Sequence, residues 1–242
     1  MEIWAHRGSS AEFPENTMIA FVEAQRCGAD AIELDVQRTS DGELIVIHDE
    51  SLNRTTNGRG YVYASSYAWI KTLDAGGRFH SRFQGEKVPT LREVLDYIRT
   101  TDMRLNIELK NEQIMYDGME MQVVKLLELF KLTDKVVISS FNHSSVRMIK
   151  KQVPYIETAL LTRAFSNYPP SYARQLGLDA IHPSKRSVNL NFMREAIQNQ
   201  IQVRPYTVNE QSLFRVFDSL GVAAIITNHP KAARNYLNAS SS

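Results

Sequence analysis

Residues 31–49 read AIELDVQRTSDGELIVIHD, and this stretch decides the fold. Over residues 31–36, apolar side chains alternate with acids, which predicts a β-strand with a period of two. Glu33 and Asp35 then share one face of the strand, and apolar residues occupy the other face. Two carboxylates would therefore point together from a hydrophobic element. The alternative is a surface strand with a solvated acidic face.

The residues after this strand predict a turn and then an insertion. A turn over 40–42 leads to a short extended run over 44–47, which ends at His48. Residues 50–87 contain Asn-Gly, Arg-Gly and Gly-Gly pairs and several tyrosines, but no long helical period. Long irregular segments of compact domains are usually lids or binding loops. We therefore expect 50–87 to form a small cap over one end of the domain.

Composition favours one globular domain and excludes several partners. The chain has 242 residues, of which 43% are hydrophobic and 23% charged, and its net charge is +1. This balance does not indicate a partner that is a nucleic acid or a membrane surface. No apolar run is long enough to span a membrane. The single cysteine, Cys27, and a start without a basic and then apolar segment make the cytoplasm the expected location.

Strand and helix patterns alternate along the chain. The predicted barrel strands cover residues 2–5, 31–36, 104–109, 136–139, 157–161, 179–182, 202–206 and 223–226. The predicted helices cover residues 18–25, 90–99, 118–130, 144–151, 170–176, 191–199, 210–220 and 230–237. Eight such units predict an α/β protein, a parallel (β/α)8 TIM barrel that fills residues 1–242 as a single domain, with 50–87 as its cap insertion. A doubly wound open sheet is the structural alternative.

Helix ends carry their own signals. Asn16 or Thr17 is the expected N-cap of the first helix, and Gly28 the residue just beyond its end. Thr90 and Glu93 have the spacing of a capping box at the start of the second helix.

Polar residues follow the predicted strands where each strand ends. In a TIM barrel these carboxyl ends meet at one mouth, where active sites lie. Three carboxylates, two histidines, an arginine and a lysine would then share one cavity: His6, Arg7, Glu33, Asp35, His48, Glu108 and Lys110.

Electrostatics indicates what such a cavity needs. Two like charges about 4 Å apart repel by roughly 4 kcal/mol at an effective dielectric constant near 20. Three buried carboxylates therefore require a cation, and oxygen ligands favour a hard divalent ion, Mg²⁺, Ca²⁺ or Mn²⁺. Alternatively, Glu33 or Glu108 forms a structural ion pair with Arg7 or Lys110. The two interpretations are compatible with each other.

The basic residues indicate a phosphorylated substrate. Arg7 and Lys110 beside a hard metal ion suit a phosphate group. Histidine side chains ordinarily titrate near neutral pH, so His6 and His48 suit general acid and base catalysis. The sequence has neither a nucleotide-type phosphate loop nor a Gly-x-Ser-x-Gly motif, which argues against nucleotide hydrolysis and serine esterase chemistry.

At this point the sequence resembles the glycerophosphodiester phosphodiesterases. The matching motifs extend in order over nearly the whole chain: His6-Arg7-Gly8, Pro14-Glu15-Asn16-Thr17, Glu33-Leu34-Asp35, His48-Asp49, Arg54-Thr55-Thr56, Ile107-Glu108-Leu109-Lys110, Thr207-Val208-Asn209 and Thr227-Asn228-His229-Pro230. The resemblance implies a metal-dependent barrel that hydrolyses a small-molecule glycerophosphodiester to glycerol 3-phosphate and an alcohol.

The resemblance also implies roles for the residues already singled out. Glu33, Asp35 and Glu108 correspond to ligands of one divalent metal ion, Mg²⁺ or Ca²⁺, with Mn²⁺ as a further candidate. His6 and His48 correspond to the acid–base pair. Arg7 and Lys110 correspond to phosphate contacts, and the insertion 50–87 corresponds to the family's small cap.

Two positions depart from the family's common pattern. Tyr206 stands where a tryptophan is common, and we expect it to supply an aromatic wall to the pocket. Asn228 replaces a common aspartate, which we interpret as an exchange of one helix N-cap for another, outside the metal and histidine set. Phe141 either lines the pocket or packs in the core. His182 is a candidate for a structural role, for pocket lining or for direct catalysis.

Two other functions are compatible with the same motifs. Large apolar residues of the insertion would suit an apolar entrance, and thus a lysophospholipase D acting on lipids: Tyr61, Tyr63, Tyr67, Trp69, Ile70 and Phe79. A binding protein that has lost turnover is the third candidate, although the complete set of polar residues argues against it. The sequence does not indicate an oligomeric state.

Overall fold

The computed structural model describes residues 1–164 and 168–240 of the chain, without the side chain of Ser240. Its strands are β1 (Glu2–His6), β2 (Ala31–Arg38), β3 (Leu44–Val46), β4 (Arg104–Leu109), β5 (Val136–Ser140), β6 (Glu157–Thr162), β7 (Ala180–Pro183), β8 (Gln202–Val203) and β9 (Ala224–Thr227). Its helices are α1 (Met18–Arg26), α2 (Tyr67–Ile70), α3 (Leu91–Ile98), α4 (Met119–Phe130), α5 (His143–Gln152), α6 (Pro170–Gln175), α7 (Leu190–Gln198), α8 (Gln211–Leu220) and α9 (Pro230–Ser240).

The parallel strands curl into a nearly closed barrel. Their order is β8-β7-β6-β5-β4-β2-β1-β9, and β3 pairs with β2 alone, in antiparallel orientation. The two ends of this sheet meet, because Ala223 N donates to Val203 O and Ile226 N donates to Pro205 O, each over 3.0 Å. The (β/α)8 TIM barrel is therefore confirmed, and the open doubly wound sheet is excluded.

The alternation over residues 31–36 sorts side chains as predicted. Ile32, Leu34 and Val36 point outward into the hydrophobic layer beneath the helices, whereas Glu33 and Asp35 point into the barrel. A parallel sheet that helices cover on its outer face can thus carry charge only on its inner face.

The eighth barrel strand is shorter than predicted. The sequence indicates an extended run over 202–206, but β8 ends at Val203, and only a single bridge pairs Tyr206 with Ser184 of the neighbouring segment. Pro205 has no N–H to donate to a ladder, so regular pairing stops before it.

Helix ends follow the predicted signals, with one difference. Thr90 and Glu93 form both hydrogen bonds of the capping box at α3. Gly28 lies just beyond α1 with a φ of +75°. Thr17 is the N-cap of α1, but its hydroxyl donates to Pro14 O instead of capping the helix.

Residues 50–87 contain α2 and two short 3₁₀ turns, at Val62–Ala64 and Ser81–Phe83. Their apolar side chains form a small cluster of their own with Ile45, Ile47 and Val88. The segment contacts the loop after β1, since Arg82 Nη2 donates to Glu12 O over 3.2 Å.

Below the polar mouth, the barrel interior holds a buried arginine. The Arg204 guanidinium lies 4.4 Å from the ring centre of Trp4 and 2.5 Å from Glu157, the first residue of β6. His182 packs edge-on against the same Trp4 ring. None of the helices in the described ranges is long and apolar enough to cross a bilayer.

Candidate active site

Neighbouring strands bring the acidic residues together through their register. His6 at the end of β1 lies beside Glu33, and Asp35 lies beside Glu108 of β4. One carboxylate oxygen from each of Glu33, Asp35 and Glu108 lies within 4.8 Å of the others. All three residues are buried.

This carboxylate cluster is electrostatically unfavourable without a cation. Burial, reinforced by Asp35 and Glu108, raises the pKa of Glu33 well above its usual value. Asp35 Oδ1 is buried and accepts no hydrogen bond from any described residue, although Lys110 Nζ lies 4.0 Å away. The three carboxylates offer only oxygen ligands, and one of these buried oxygens lacks a hydrogen bond. Such a set of ligands fits a hard divalent cation.

Two cations flank the cluster. Arg7 Nε lies 3.2 Å from Asp35, and Lys110 Nζ donates to Glu108 over 2.8 Å. Burial disfavours the charge on Asp35, but Arg7, His48 and Lys110 outweigh it and lower the pKa of Asp35. Of the ion pairs that are the alternative to a metal site, Glu108–Lys110 is therefore present, whereas Arg7 pairs with Asp35 instead of Glu33 or Glu108.

His48 lies just beyond β3 and has a defined tautomer. Its Nδ1 donates to Asp49 Oδ1 over 2.7 Å, which leaves Nε2 facing Lys110 Nζ at 3.3 Å. Partial burial opposes ionisation of Asp49, but hydrogen bonds from Arg54 and His48 outweigh it and lower the pKa of Asp49 to about 2. A carboxylate behind an imidazole stabilises its protonated form.

His6 has a neutral partner instead. Its Nδ1 donates to Asn228 Oδ1 over 2.6 Å, and its Nε2 lies 4.0 Å from Glu33. Burial, together with the charge of Arg7, lowers the pKa of His6 to about 4. The neutral ring is therefore the ordinary form of His6 in this site.

Two adjoining cavities open above these residues. The first, of about 150 Å³, is lined by His6, Arg7, Glu33, His48, Asn106, Glu108, Phe141, Leu161, Tyr206, Thr207 and Ile226. The second, of about 270 Å³, is lined by His48, Glu50, Glu108, Leu109, Lys110, Glu112, Gln113, Phe141, Arg163 and Tyr206. The Phe141 and Tyr206 rings meet edge to face, with centres 6.1 Å apart, and border both cavities.

The interpretation of Asn228 as a mere N-cap outside the histidine set was wrong. Thr227 pairs with Ala5 in the β1–β9 ladder, so the next residue of each strand, Asn228 and His6, adjoin. In a closed barrel the last strand lies beside the first, and this adjacency was the signal that sequence reasoning missed.

Sequence reasoning also missed residues that support the site from loops. Asn16 Nδ2 donates to Asp35 Oδ2 over 2.8 Å, and Arg7 Nη1 donates to Glu15 Oε1 over 2.8 Å. Arg54 of the insertion reaches both Glu15 and Asp49. No spacing rule places these residues, because two separate loops, the β1–α1 loop and the segment after β3, contribute them.

The other histidines stand apart from the cavities. His182 is fully buried against Trp4 and Arg204, which agrees with a structural role. His143 opens α5 and packs on Tyr168 and Tyr172. His80 and His229 are exposed.

Sequence relatives cover almost the whole chain. A protein of Caldanaerobacter subterraneus named glycerophosphodiester phosphodiesterase is 39% identical over 231 residues, which span 96% of this chain and 95% of the relative. A Bacillus altitudinis protein with the same name is 40% identical over 237 residues, with 96% of each chain covered.

Solved structures of similar proteins share the architecture. A phosphodiesterase from Oleispira antarctica, solved in complex with the product sn-glycerol-3-phosphate, has a TM-score of 0.90 at 28% identity and covers 98% of this chain and 97% of its own. A glycerophosphodiester phosphodiesterase from Agrobacterium tumefaciens has a TM-score of 0.84 at 29% identity, with 97% and 99% covered. The model of the glycerophosphoryl diester phosphodiesterase family matches residues 6–232. The chain therefore belongs to the glycerophosphoryl diester phosphodiesterase family, and the predicted family and enzyme class are confirmed.

Proposed function

We propose that the protein hydrolyses small glycerophosphodiesters to glycerol 3-phosphate and an alcohol, with one divalent metal ion in its site. The observation that carries this proposal is the convergence of three carboxylates, two cations and two histidines at one mouth of the barrel, beneath two adjoining cavities. The product bound to the Oleispira antarctica relative supports the same substrate class.

Glu33, Asp35 and Glu108 would hold the metal ion, either Mg²⁺ or Ca²⁺, with Mn²⁺ as a further candidate. A bound divalent cation would polarise the phosphoryl oxygens. Arg7 and Lys110 then bind the phosphate. Both are already held beside the carboxylates, which lowers the cost of placing them on the substrate.

The two histidines differ in the partner behind the ring, and this difference assigns their roles. His6, backed by the neutral Asn228 amide, accepts the proton of the attacking oxygen as general base. His48, oriented by the Asp49 carboxylate, acts as general acid and donates a proton to the alcohol oxygen as the P–O bond breaks. The reaction consumes one water and yields the phosphomonoester and the alcohol.

Phe141 and Tyr206 form the apolar wall that receives the substrate. Their edge-to-face contact, and the hydrogen bond from the Tyr206 hydroxyl to Thr162 O over 3.0 Å, hold that wall in place. We also propose that residues 1–242 form one domain and that 50–87 cap its mouth. The single cysteine, Cys27, is compatible with a reducing compartment, and the cytoplasm stays the predicted location.

The test is release of glycerol 3-phosphate from glycerophosphocholine and glycerophosphoethanolamine. Chelated protein should release none, and addition of Mg²⁺, Ca²⁺ or Mn²⁺ should restore the reaction and identify the working ion. Glu33→Ala and His48→Ala should each abolish most of the activity, whereas His80→Ala, at an exposed position, should retain it. Unchanged turnover in both site variants would contradict the proposal.

A second candidate substrate is a lysophospholipid. Four large aromatic side chains of the insertion are exposed: Tyr61, Tyr63, Trp69 and Phe79. Exposed aromatic residues suit contact with an acyl chain. Comparing glycerophosphocholine with its acylated form at equal concentration separates the two, since faster cleavage of the acylated form would favour the lipid.

A further inference from the structure

Arg54 of the insertion holds two carboxylates at once. Its Nε and Nη2 donate to Asp49 Oδ2 and Oδ1 over 2.7 and 3.0 Å. Its Nη1 and Nη2 donate to Glu15 Oε2 and Oε1, each over 2.8 Å. The guanidinium therefore joins the segment after β3 to the loop between β1 and α1.

Each of these carboxylates in turn holds a residue of the site. Asp49 accepts the Nδ1 proton of His48 over 2.7 Å, and Glu15 accepts from Arg7 Nη1 over 2.8 Å. Arg54 itself lines neither cavity of the site. Through these hydrogen bonds, Arg54 contacts the partner of the His48 imidazole and the partner of the Arg7 guanidinium.

We propose that Arg54 is a positioning residue that sets the orientation of His48 through Asp49 and of Arg7 through Glu15. The proposal rests on the proposed function. It gives a role to Arg54 of the Arg54-Thr55-Thr56 motif, which the proposed reaction does not use directly. It also means that the insertion helps to orient residues of the site.

The geometry requires arginine at this position. A guanidinium presents several donors in a rigid plane, so it can bind two carboxylates side by side. The single ammonium of lysine cannot span both pairs of oxygens. We therefore expect Arg54→Lys to recover only a minor part of what Arg54→Ala loses.

Arg82 provides a matched control. It also belongs to the insertion and also ties it to the loop after β1, through Glu12 O at 3.2 Å and a stacking contact on Phe83. Neither of these two contacts reaches a residue that we place in the site. Loss of Arg82 therefore reports the effect of loosening the insertion without disturbing His48 or Arg7.

The kinetic test separates the effect of Arg54 on His48 through Asp49 from its effect on Arg7 through Glu15. Arg54→Ala should lower kcat/KM by about 10- to 100-fold, as loss of a supporting partner typically does. Asp49→Asn should lower mainly kcat, because His48 acts only as the proton moves, whereas Glu15→Gln should mainly raise KM. In the Glu15→Gln/Asp49→Asn background, Arg54→Ala should change kcat/KM by less than about twofold. Arg82→Ala should stay close to the parent.

Two further measurements exclude a merely structural effect. Arg54 is 47% exposed, so free guanidinium at tens of millimolar should enter the gap in Arg54→Ala and restore part of kcat. In nuclear magnetic resonance spectra of metal-free protein, the His48 Nδ1 proton should be protected in the parent and in Arg82→Ala, and lost in Arg54→Ala. This second readout requires no turnover.

The outcomes distinguish this inference from the proposed function. If Arg54→Ala matches the parent in kcat/KM, or if Arg82→Ala loses as much, the positioning role is refuted. If no diester is cleaved by the parent, the proposed function fails, and the His48 proton signal alone decides the role of Arg54.

Discussion

His6 and His48 carry the same ring, yet their surroundings make them chemically different. Asn228 accepts from one ring and Asp49 from the other. Both oxygens orient the ring, but a neutral amide stabilises a positive charge on an imidazole less than a carboxylate does. The proposed division into base and acid therefore originates in two residues that line neither cavity of the site.

The role of Asn228 can be tested with substitutions that remove or keep a side-chain oxygen at this position. Asn228→Ala removes the oxygen that fixes His6, and we expect kcat to fall about tenfold, in the range usual for such supporting residues. Asn228→Asp keeps an acceptor at the same place and should retain more activity than the alanine variant. Steady-state kinetics at saturating metal ion measures both. Equal kcat in Asn228→Ala and the parent would show that His6 needs no such support.

We expect the buried His182 to make the free energy of unfolding depend on pH. Burial, with the nearby charges of Arg204 and Arg104, lowers the pKa of His182 well below its usual value. Below about pH 6.5 the unfolded chain binds a proton that the folded chain does not, so stability falls as the pH falls, by up to about 1.4 kcal/mol per pH unit.

Urea denaturation at pH 7.5, 6.5 and 5.5 checks this prediction. The free energy of unfolding of His182→Gln should depend less steeply on pH below 6.5 than that of the parent, whatever its absolute stability. If the free energy of unfolding depends on pH equally in the two proteins, a group other than His182 causes the loss of stability at acidic pH.

At the scale of elements, the loop between β1 and α1 is held close to α1. Arg7 has a φ of +56° and Gly8 of +83°. A Cβ on Gly8 would lie 2.7 Å from the backbone carbon of Ala20 in α1. The close approach of this loop to α1 aims Arg7 back toward Asp35, so glycine is required for the site as well as for the fold.

Gly8→Ala and Gly42→Ala separate crowding from backbone strain. Gly42 also has a positive φ, of +88°, but a Cβ there would have no atom of the described residues beyond its chain neighbours within 4 Å. We expect Gly42→Ala to lower the free energy of unfolding by about 1 kcal/mol through strain alone. Gly8→Ala adds overpacking and should cost about 3 kcal/mol or more, and it should also lower activity. Similar costs in the two variants would contradict the crowding argument.

At the scale of the whole molecule, barrel closure gathers charges from β1, β2, β4 and the segment after β3. Hydrophobic layers outside the barrel hold these strands in register, while the carboxylates inside repel one another. The fold thus contains an unfavourable arrangement that the proposed cation would relieve.

The melting temperature of metal-free protein should therefore rise when a fitting ion is added. At an ion concentration about 100 times the dissociation constant, the stabilisation is about 2.7 kcal/mol, or a shift of about 5 °C or more. Glu33→Gln removes one of the repelling carboxylates. It should melt no lower than the metal-free parent and should lose most of the ion-dependent shift. Scanning fluorimetry with chelator and with each ion measures both, and equal shifts in variant and parent would argue against Glu33 as a ligand.

Local patterns in the sequence predict much of this protein. The alternation over 31–36 sets which side chains face inward, the spacing of Glu108 and Lys110 puts both on one face, and the β–α rhythm predicts the barrel. These inferences succeed because strand alternation and parallel topology depend on short-range periods that can be counted along the chain.

Adjacency between distant segments was decided by the tertiary structure alone. The sequence by itself determined the fold class, the family and the residues gathered at the mouth. Only closure of the barrel placed Asn228 against His6, and only the packing of residues 50–87 placed Arg54 between Glu15 and Asp49. The contacts of Asn228 with His6 and of Arg54 with Glu15 join residues 222 and 39 positions apart, and no local period relates such separations. The physical reason is that their positions follow from how the hydrophobic layers pack, which is a property of the whole chain.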